Sequence, residues 1–218
     1  MTTAARQRGL LTCGVVAGPL FVVVFLIEGA LRPDYSPMRQ PVSSLSIGST
    51  GWTQMANFLI TGLLVLAFAL GLHQRDNGLL LPILIGLIGV GLIGASVFTC
   101  DPINGYPPGT PLSPVATTSG TLHNSFSSLV FFGLPIACLV AARQFTREGS
   151  GGFAWYCVAT AVAFVVLFVL AGSGFSQNPA FLPITGLMQR LCLAVGFAWL
   201  TILALRKMRQ PGTSSPGH

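Results

Sequence analysis

Apolar residues occur in six blocks of about 20 residues, and this pattern constrains the fold more than any other feature. A helix needs roughly 20 apolar residues to cross about 30 Å of hydrocarbon. The blocks lie at 10–31, 52–72, 79–98, 125–142, 153–171 and 187–205, and only 7% of all residues are charged. Residues 10–205 are therefore predicted to form an all-α integral membrane protein, with six transmembrane helices in one bundle.

The two chain ends lie outside these blocks. Residues 1–9 are short and polar, with Arg6 and Arg8 directly before the first apolar block. That block is longer than the roughly 7–15 residues of a cleavable signal-peptide core, so we interpret it as an uncleaved first span. Residues 206–218 are basic and then rich in Pro, Gly and Ser, and we predict a disordered tail there.

Basic residues are divided unevenly between the two ends of the predicted spans. At one end of the spans, the loops contain only Arg32 and Arg39, with Arg190 at the start of the sixth span; the other basic residues lie at the opposite end. The positive-inside rule therefore predicts a plasma-membrane protein with both termini in the cytoplasm. Because the charges lie at span ends, the net charge of +6 indicates topology and anionic lipid, not nucleic acid. The end predicted to be cytoplasmic receives eight basic residues: Arg6, Arg8, Arg75, Arg143, Arg147, Arg206, Lys207 and Arg209.

Spans one and three contain closely spaced glycines. Gly14 and Gly18 are four residues apart in span one, and span three has a face of small residues that includes Gly91 and Gly94. Small residues allow two helix backbones to approach closely. We therefore expect these faces to pack against neighbouring helices.

The segment 102–109 separates spans three and four, and its Pro and Gly content excludes a continuous helix. Asp101 precedes this segment and His123 opens span four. If the two spans are adjacent and antiparallel, both side chains lie at the exoplasmic surface. The same surface is expected to receive the polar residues Glu28, Arg32, Tyr35, Ser44, Asn124, Gln189 and Arg190.

Several short motifs follow one another along the chain. They are Gly18-Pro19, Arg32-Pro33-x-Tyr35-Ser36, Val42-Ser43-Ser44-Leu45, Asn57-Phe58 with Gly62, Phe98-x-x-Asp101-Pro102 and Leu122-His123. With these motifs the chain resembles a prokaryotic membrane family catalogued as domain of unknown function 998. The resemblance implies an integral membrane fold of about six helices and no particular reaction. The chain departs from the family's pattern at Ser44, where an acidic residue often follows the serine, so no carboxylate at that point contributes to a site.

Catalytic roles are open for the exoplasmic residues. Asp101 could orient the His123 imidazole, an arrangement that serves a general base, a nucleophile system or a metal. A hydrolase would add a serine, although the chain has no G-x-S-x-G elbow. A metal site would also need Glu28, since His123 is the only histidine on that side. We expect no metal and no cofactor. The serines available for a hydrolase are Ser44, Ser125, Ser127 and Ser176.

The preferred enzymatic hypothesis uses Glu28 or Asp101 as a protonated acid. A desolvated carboxyl group can protonate an alkene or an epoxide, and an apolar cavity among six helices suits an isoprenoid or lipid tail. We therefore predict a protein that binds, and in this hypothesis modifies, a lipid-like molecule. The catalytic residues would be Glu28, Asp101 and His123, and the ligand-binding residues would be Arg32, Tyr35, Ser44, Asn124, Gln189 and Arg190.

Structural roles could account for the same residues. Asp101 could cap or turn the end of span three, His123 could donate to that loop, and Arg190 could pair with Glu28 or Asp101 or bind a lipid phosphate. The runner-up function is accordingly a non-catalytic membrane scaffold or partner protein. A small-solute transporter is less favoured, because ionisable residues along a path through the bilayer and two related halves are poorly represented. The sequence does not specify an oligomeric state.

Overall fold

The structure, a computed structural model, describes residues 3–76 and 78–210. Within these ranges the chain is all-helical, and six helices are long and apolar enough to cross a membrane. This confirms the predicted helical membrane fold with six spans. The direction of the spans through the bilayer stays a prediction. The helices are α1 Thr3–Leu31, α2 Trp52–His73, α3 Leu80–Val97, α4 Thr118–Arg147, α5 Gly151–Phe175 and α6 Thr185–Arg209.

All the helices except α3 extend beyond their apolar blocks. α1 begins at Thr3 and α4 begins at Thr118, because polar residues continue the backbone hydrogen bonds past the apolar part. The start of α4 is stabilised by Thr117, whose side chain accepts a hydrogen bond from the backbone nitrogen of Gly120 at 3.0 Å. α6 includes residues 206–209, and residues 211–218 of the predicted tail lie outside the described residues.

The six helices form a closed ring. Each helix packs against the helices before and after it, and α6 closes the ring by packing against α1. Large aromatic side chains fill the interior, among them Phe21, Phe25, Phe68, Phe197 and Trp199, each no more than 1% exposed. Because sequence neighbours are neighbours in space, the loops at one end of the bundle lie close to one another.

The glycine faces pack closely, as predicted. A Cβ at Gly62 would lie 2.9 Å from the carbonyl oxygen of Gly89, so α2 and α3 touch through their backbones. The ring of Phe126 in α4 lies against Gly94, and a Cβ at Gly91 would lie 2.7 Å from the Phe126 carbonyl oxygen. These contacts bring α4 close enough to α3 for His123 to reach the end of α3.

The two ends of the bundle differ in their connections. We call the end with the long loops 32–51, 98–117 and 176–184 the loop face, and the opposite end, with most basic residues, the basic face. The three loops interlock around Asn104. Its amide nitrogen donates to the Arg39 carbonyl at 3.0 Å, and its side-chain oxygen accepts from the Gln177 amide at 3.0 Å. A rigid roof of hydrogen-bonded loops therefore covers the helix ends.

Candidate functional site

Arg190 holds the first of the three loops, residues 32–51, against α6. Its guanidinium is 6% exposed and donates to the carbonyls of Pro37 at 2.7 Å and Gln40 at 2.8 Å, as well as to the hydroxyl of Tyr35. Burial raises the pKa of Tyr35 to about 12, so the phenol stays neutral and donates to the Pro41 carbonyl at 2.8 Å. Within the described residues Arg190 makes no ion pair with Glu28 or Asp101. Its two terminal nitrogens donate to backbone carbonyls and to the Tyr35 hydroxyl, whereas its Nε is buried without a hydrogen-bond partner among the described residues.

Arg32 fastens the other end of the same loop. It donates to the carbonyls of Leu45 at 2.8 Å and Ile47 at 3.1 Å, and it forms an ion pair with Glu28 at 3.9 Å. The four-residue spacing places both charges on one side of the helix end, as the sequence suggests. Glu28 therefore lies beside Arg32, under the first loop.

Asp101 holds the beginning of α4. One carboxylate oxygen accepts from the Thr117 hydroxyl at 2.6 Å and the other accepts from the Thr117 backbone nitrogen at 3.2 Å. The carboxylate packs directly over Gly120, where any Cβ would overlap it. This position beside the helix N-terminus is electrostatically favourable for a carboxylate. Asp101 thus fixes the direction in which α4 leaves the loop.

His123 is held by backbone, not by Asp101. The imidazole is 2% exposed, and its Nδ1 lies 2.8 Å from the carbonyl oxygen of Phe98. Because a carbonyl can only accept, Nδ1 carries the proton, and in the neutral form of the ring Nε2 is an acceptor. The backbone at the end of α3 therefore orients the imidazole, whereas the sequence had suggested that the Asp101 carboxylate would do so.

A cavity of about 420 Å³ lies under the roof at the loop face. It is in the volume range of small-molecule sites, which are mostly apolar with a few polar groups. Apolar residues line it at both levels, with Pro41, Val42, Ile103 and Pro114 in the roof and aromatic and aliphatic side chains on the helices below. The polar residues lie near the roof: Ser43, Cys100, Asp101, His123, Asn124, Ser127, Ser128, Ser176 and Gln189. The apolar lining includes Phe21, Phe58, Leu92, Phe131, Phe132, Phe168, Phe175 and Leu193.

The cavity contains only some of the residues selected from sequence. Asp101, His123, Asn124 and Gln189 line it, whereas Glu28, Arg32, Tyr35 and Arg190 build the roof. Gln189 also supports the roof, because its side-chain oxygen accepts from the Val42 nitrogen at 2.8 Å. The Ser44 hydroxyl is fully buried and has no hydrogen-bond partner in the part of the chain that is described. All nine selected residues lie at the loop face, but in two different layers.

Sequence analysis selected His123 and Asn124 and named Ser127 as a candidate hydrolase serine, but it missed the continuation of this cavity wall along α4. Ser127 and Phe131 follow His123 at intervals of four residues, and Ser128 and Phe132 follow Asn124 at the same interval. Residues four apart lie on one side of a helix. This periodicity could have identified the wall. Across the described ranges, no three His, Cys, Asp or Glu side chains are grouped so that they could hold a metal ion.

Comparison with known families gives one match. The profile of a family described as a protein of unknown function, DUF998, matches residues 15–206. The chain belongs to the DUF998 family. No curated protein and no solved structure matches the chain. The DUF998 assignment agrees with the resemblance found in the motifs, and the matched range includes every residue that lines the cavity.

Proposed function

We propose that the loop-face cavity binds one lipid-like molecule, with its polar end under the roof and its chain against the phenylalanines. The supporting observation is that the polar lining residues all lie in the loops or within about three helical turns of them, whereas Phe131 and Phe132 continue the lining deeper along α4. His123 supplies an acceptor at Nε2, and Ser127 and Asn124 supply hydroxyl and amide groups within one turn of it. An amphiphile matches this arrangement better than a fully polar solute does.

Access from the bilayer supports a lipid-like ligand. Phe132 lines the cavity and is also 59% exposed on the outer surface of α4. Phe168 of α5 lines the cavity and stacks against Phe131, with ring centroids 4.8 Å apart. Phe132 therefore reaches from the cavity to the outer surface, and we propose that a lipid chain enters at the boundary between α4 and α5. A chain that enters there would not have to cross the roof of hydrogen-bonded loops.

Photolabelling of the purified protein tests the proposal. A palmitic acid analogue that carries a diazirine is expected to label peptides of α4 and α5. Ala95→Leu fills part of the cavity, because Ala95 lines it and is 2% exposed, and we expect labelling to fall several-fold. Ala198→Leu is the matched control, since Ala198 is exposed on α6 and does not line the cavity. Equal labelling in the two variants, with unchanged melting temperatures, would refute the proposal.

Acid-type catalysis on the bound molecule would fall to Asp101, and the ligand would have to shift this carboxyl group to its protonated form, because the two hydrogen bonds from Thr117 and the N-terminus of α4 favour the charged form. In the described part of the chain it is the one carboxylate that lines the cavity, whereas Glu28 lies beside Arg32. The test is to incubate the protein with total membrane lipid and to follow the bound molecule by mass spectrometry. Asp101→Asn should stop any conversion, and Glu28→Gln should leave it unchanged. Conversion that persists in Asp101→Asn excludes this mechanism.

We further propose that the loop face is exoplasmic in the plasma membrane and that both termini are cytoplasmic. The uneven distribution of basic residues supports this orientation. A fluorescent protein fused after His218 should fluoresce, and alkaline phosphatase fused at the same point should be inactive. The reverse result would invert the orientation, and it would leave the cavity chemistry untouched.

A further inference from the structure

A second recess lies at the basic face, at the opposite end of the bundle from the proposed lipid-like ligand. Its volume is about 740 Å³, and it is bounded by the α2–α3 turn, the start of α3 and the ends of α4 and α6. Arg75, Arg143, Arg147 and Lys207 contribute positive charge to it, and Asp76 and Glu148 contribute negative charge. Cationic side chains therefore outnumber carboxylates around one concave surface.

Two of the cations are occupied by contacts within the protein. Lys207 is 1% exposed and forms an ion pair with Asp76 at 2.9 Å. Arg75 donates to the backbone carbonyl of Gln210. The Glu148 carboxylate accepts from the amides of Gln144 at 3.0 Å and Gln210 at 3.2 Å. These contacts connect the α2–α3 turn with the ends of α4 and α6.

The other two cations point to a ligand. Arg143 and Arg147 are exposed and lie one turn apart on α4, and neither guanidinium has a hydrogen bond or ion pair within residues 3–76 and 78–210. Two guanidinium groups at this spacing can share one phosphate, because each presents a planar fork of donors. The positive-inside pattern accounts for arginines at this end of the protein, but it does not require them to converge over a recess.

The wall below the charges is apolar. Leu81 is buried and lines the recess with Val140, and Leu80 lines it while 58% of its surface is exposed. On the adjacent outer surface, Ile83 of α3 and Leu139 of α4 are also exposed. A free phosphate would make no favourable contact with this apolar wall. A phospholipid would contact both parts of the recess, with its headgroup at the arginines and its acyl chains against the apolar wall.

We propose that this recess binds an anionic phospholipid. Arg143 and Arg147 hold its phosphate, and Leu80 and Val140 contact the first part of an acyl chain. Basic recesses between membrane helices at the cytoplasmic side suit such headgroups. The proposal is independent of the loop-face cavity, because the two sites have no lining residue in common.

The test counts phospholipids retained by the protein. The full chain is placed in nanodiscs of phosphatidylcholine with a minor fraction of phosphatidylglycerol, released into detergent and examined by native mass spectrometry. In the double variant Arg143→Gln/Arg147→Gln, retention of phosphatidylglycerol should fall roughly 30-fold. The double variant Arg6→Gln/Arg8→Gln is the matched control. It removes the same charge from the same face, but neither residue lines the recess.

The outcomes separate specific binding from general attraction. Loss in the recess variant alone supports the proposal. Equal loss in both double variants would overturn it, because the effect would then be non-specific electrostatics. Displacement of phosphatidylglycerol by millimolar inorganic phosphate would also overturn it, because the site would then recognise a free anion. Because the variants alter exposed side chains, unchanged melting temperatures are expected and check that both have folded.

Discussion

Replacement of Arg190 gives the sharpest test of how the roof is held. The guanidinium joins α6 to the first loop through the carbonyls of Pro37 and Gln40 and through the Tyr35 hydroxyl. A hydrogen bond to a charged group contributes about 1.5–3 kcal/mol. The loss on replacing Arg190 should be smaller than the sum of three such contacts. Water can hydrate the carbonyls that the substitution leaves without a donor, and the substitution also removes the cost of burying the charge. We therefore expect Arg190→Met to lower the free energy of unfolding by about 3 kcal/mol.

Arg190→Lys should show an intermediate loss of about 1.5 kcal/mol, because an ammonium group cannot reproduce the guanidinium fork. Unfolding by SDS in mixed micelles, followed by tryptophan fluorescence, measures both values. The control is Arg8→Met, since Arg8 is exposed near the start of α1. Limited proteolysis should also cut residues 32–45 faster in Arg190→Met. A loss below about 1 kcal/mol, with unchanged proteolysis of this loop, would refute the assignment of Arg190 as its main anchor.

Three other changes test separate parts of the structure. Gly120→Ala should destabilise the protein by about 1–3 kcal/mol in the same SDS titration, because the new Cβ displaces the Asp101 carboxylate. The control Gly152→Ala should not destabilise it, because Gly152 has open space around it. Asp76→Asn should lower the free energy of unfolding by about 3–5 kcal/mol, because it leaves the Lys207 charge buried without its partner. In a double-mutant cycle with Lys207→Met, the double variant should lose less stability than the sum of the two single variants; additive losses would exclude coupling. Burial raises the pKa of Cys100 from 9.0 to about 11, so the unfolded thiol ionises first and stability should fall as pH rises from 9 to about 11. Cys100→Ala should reduce this slope and leave the part due to Tyr35, whose pKa is also raised by burial; an unchanged slope would refute the contribution of Cys100.

The contacts at the loop face explain why sequence reasoning selected the right end of the protein but only part of the cavity. The ion pair of Glu28 and Arg32 was readable because the two residues lie four apart on one helix. The contact between Gln189 and the Val42 nitrogen joins residues 147 positions apart, and no local pattern indicates it. Asp101 and His123 were selected together, yet each binds a different partner.

The sequence by itself determined the six spans, the irregular loops and the separation of charge between the two ends. These features depend on the hydrophobicity of residues close together in the chain and on Pro and Gly, which limit the backbone locally. Only the tertiary structure decided which polar side chains support the roof and which line a cavity. Closure of the ring, with α6 against α1, brings Arg190 to the first loop. Contacts of this kind depend on how whole helices pack, because the positions of side chains distant in sequence are set by that packing.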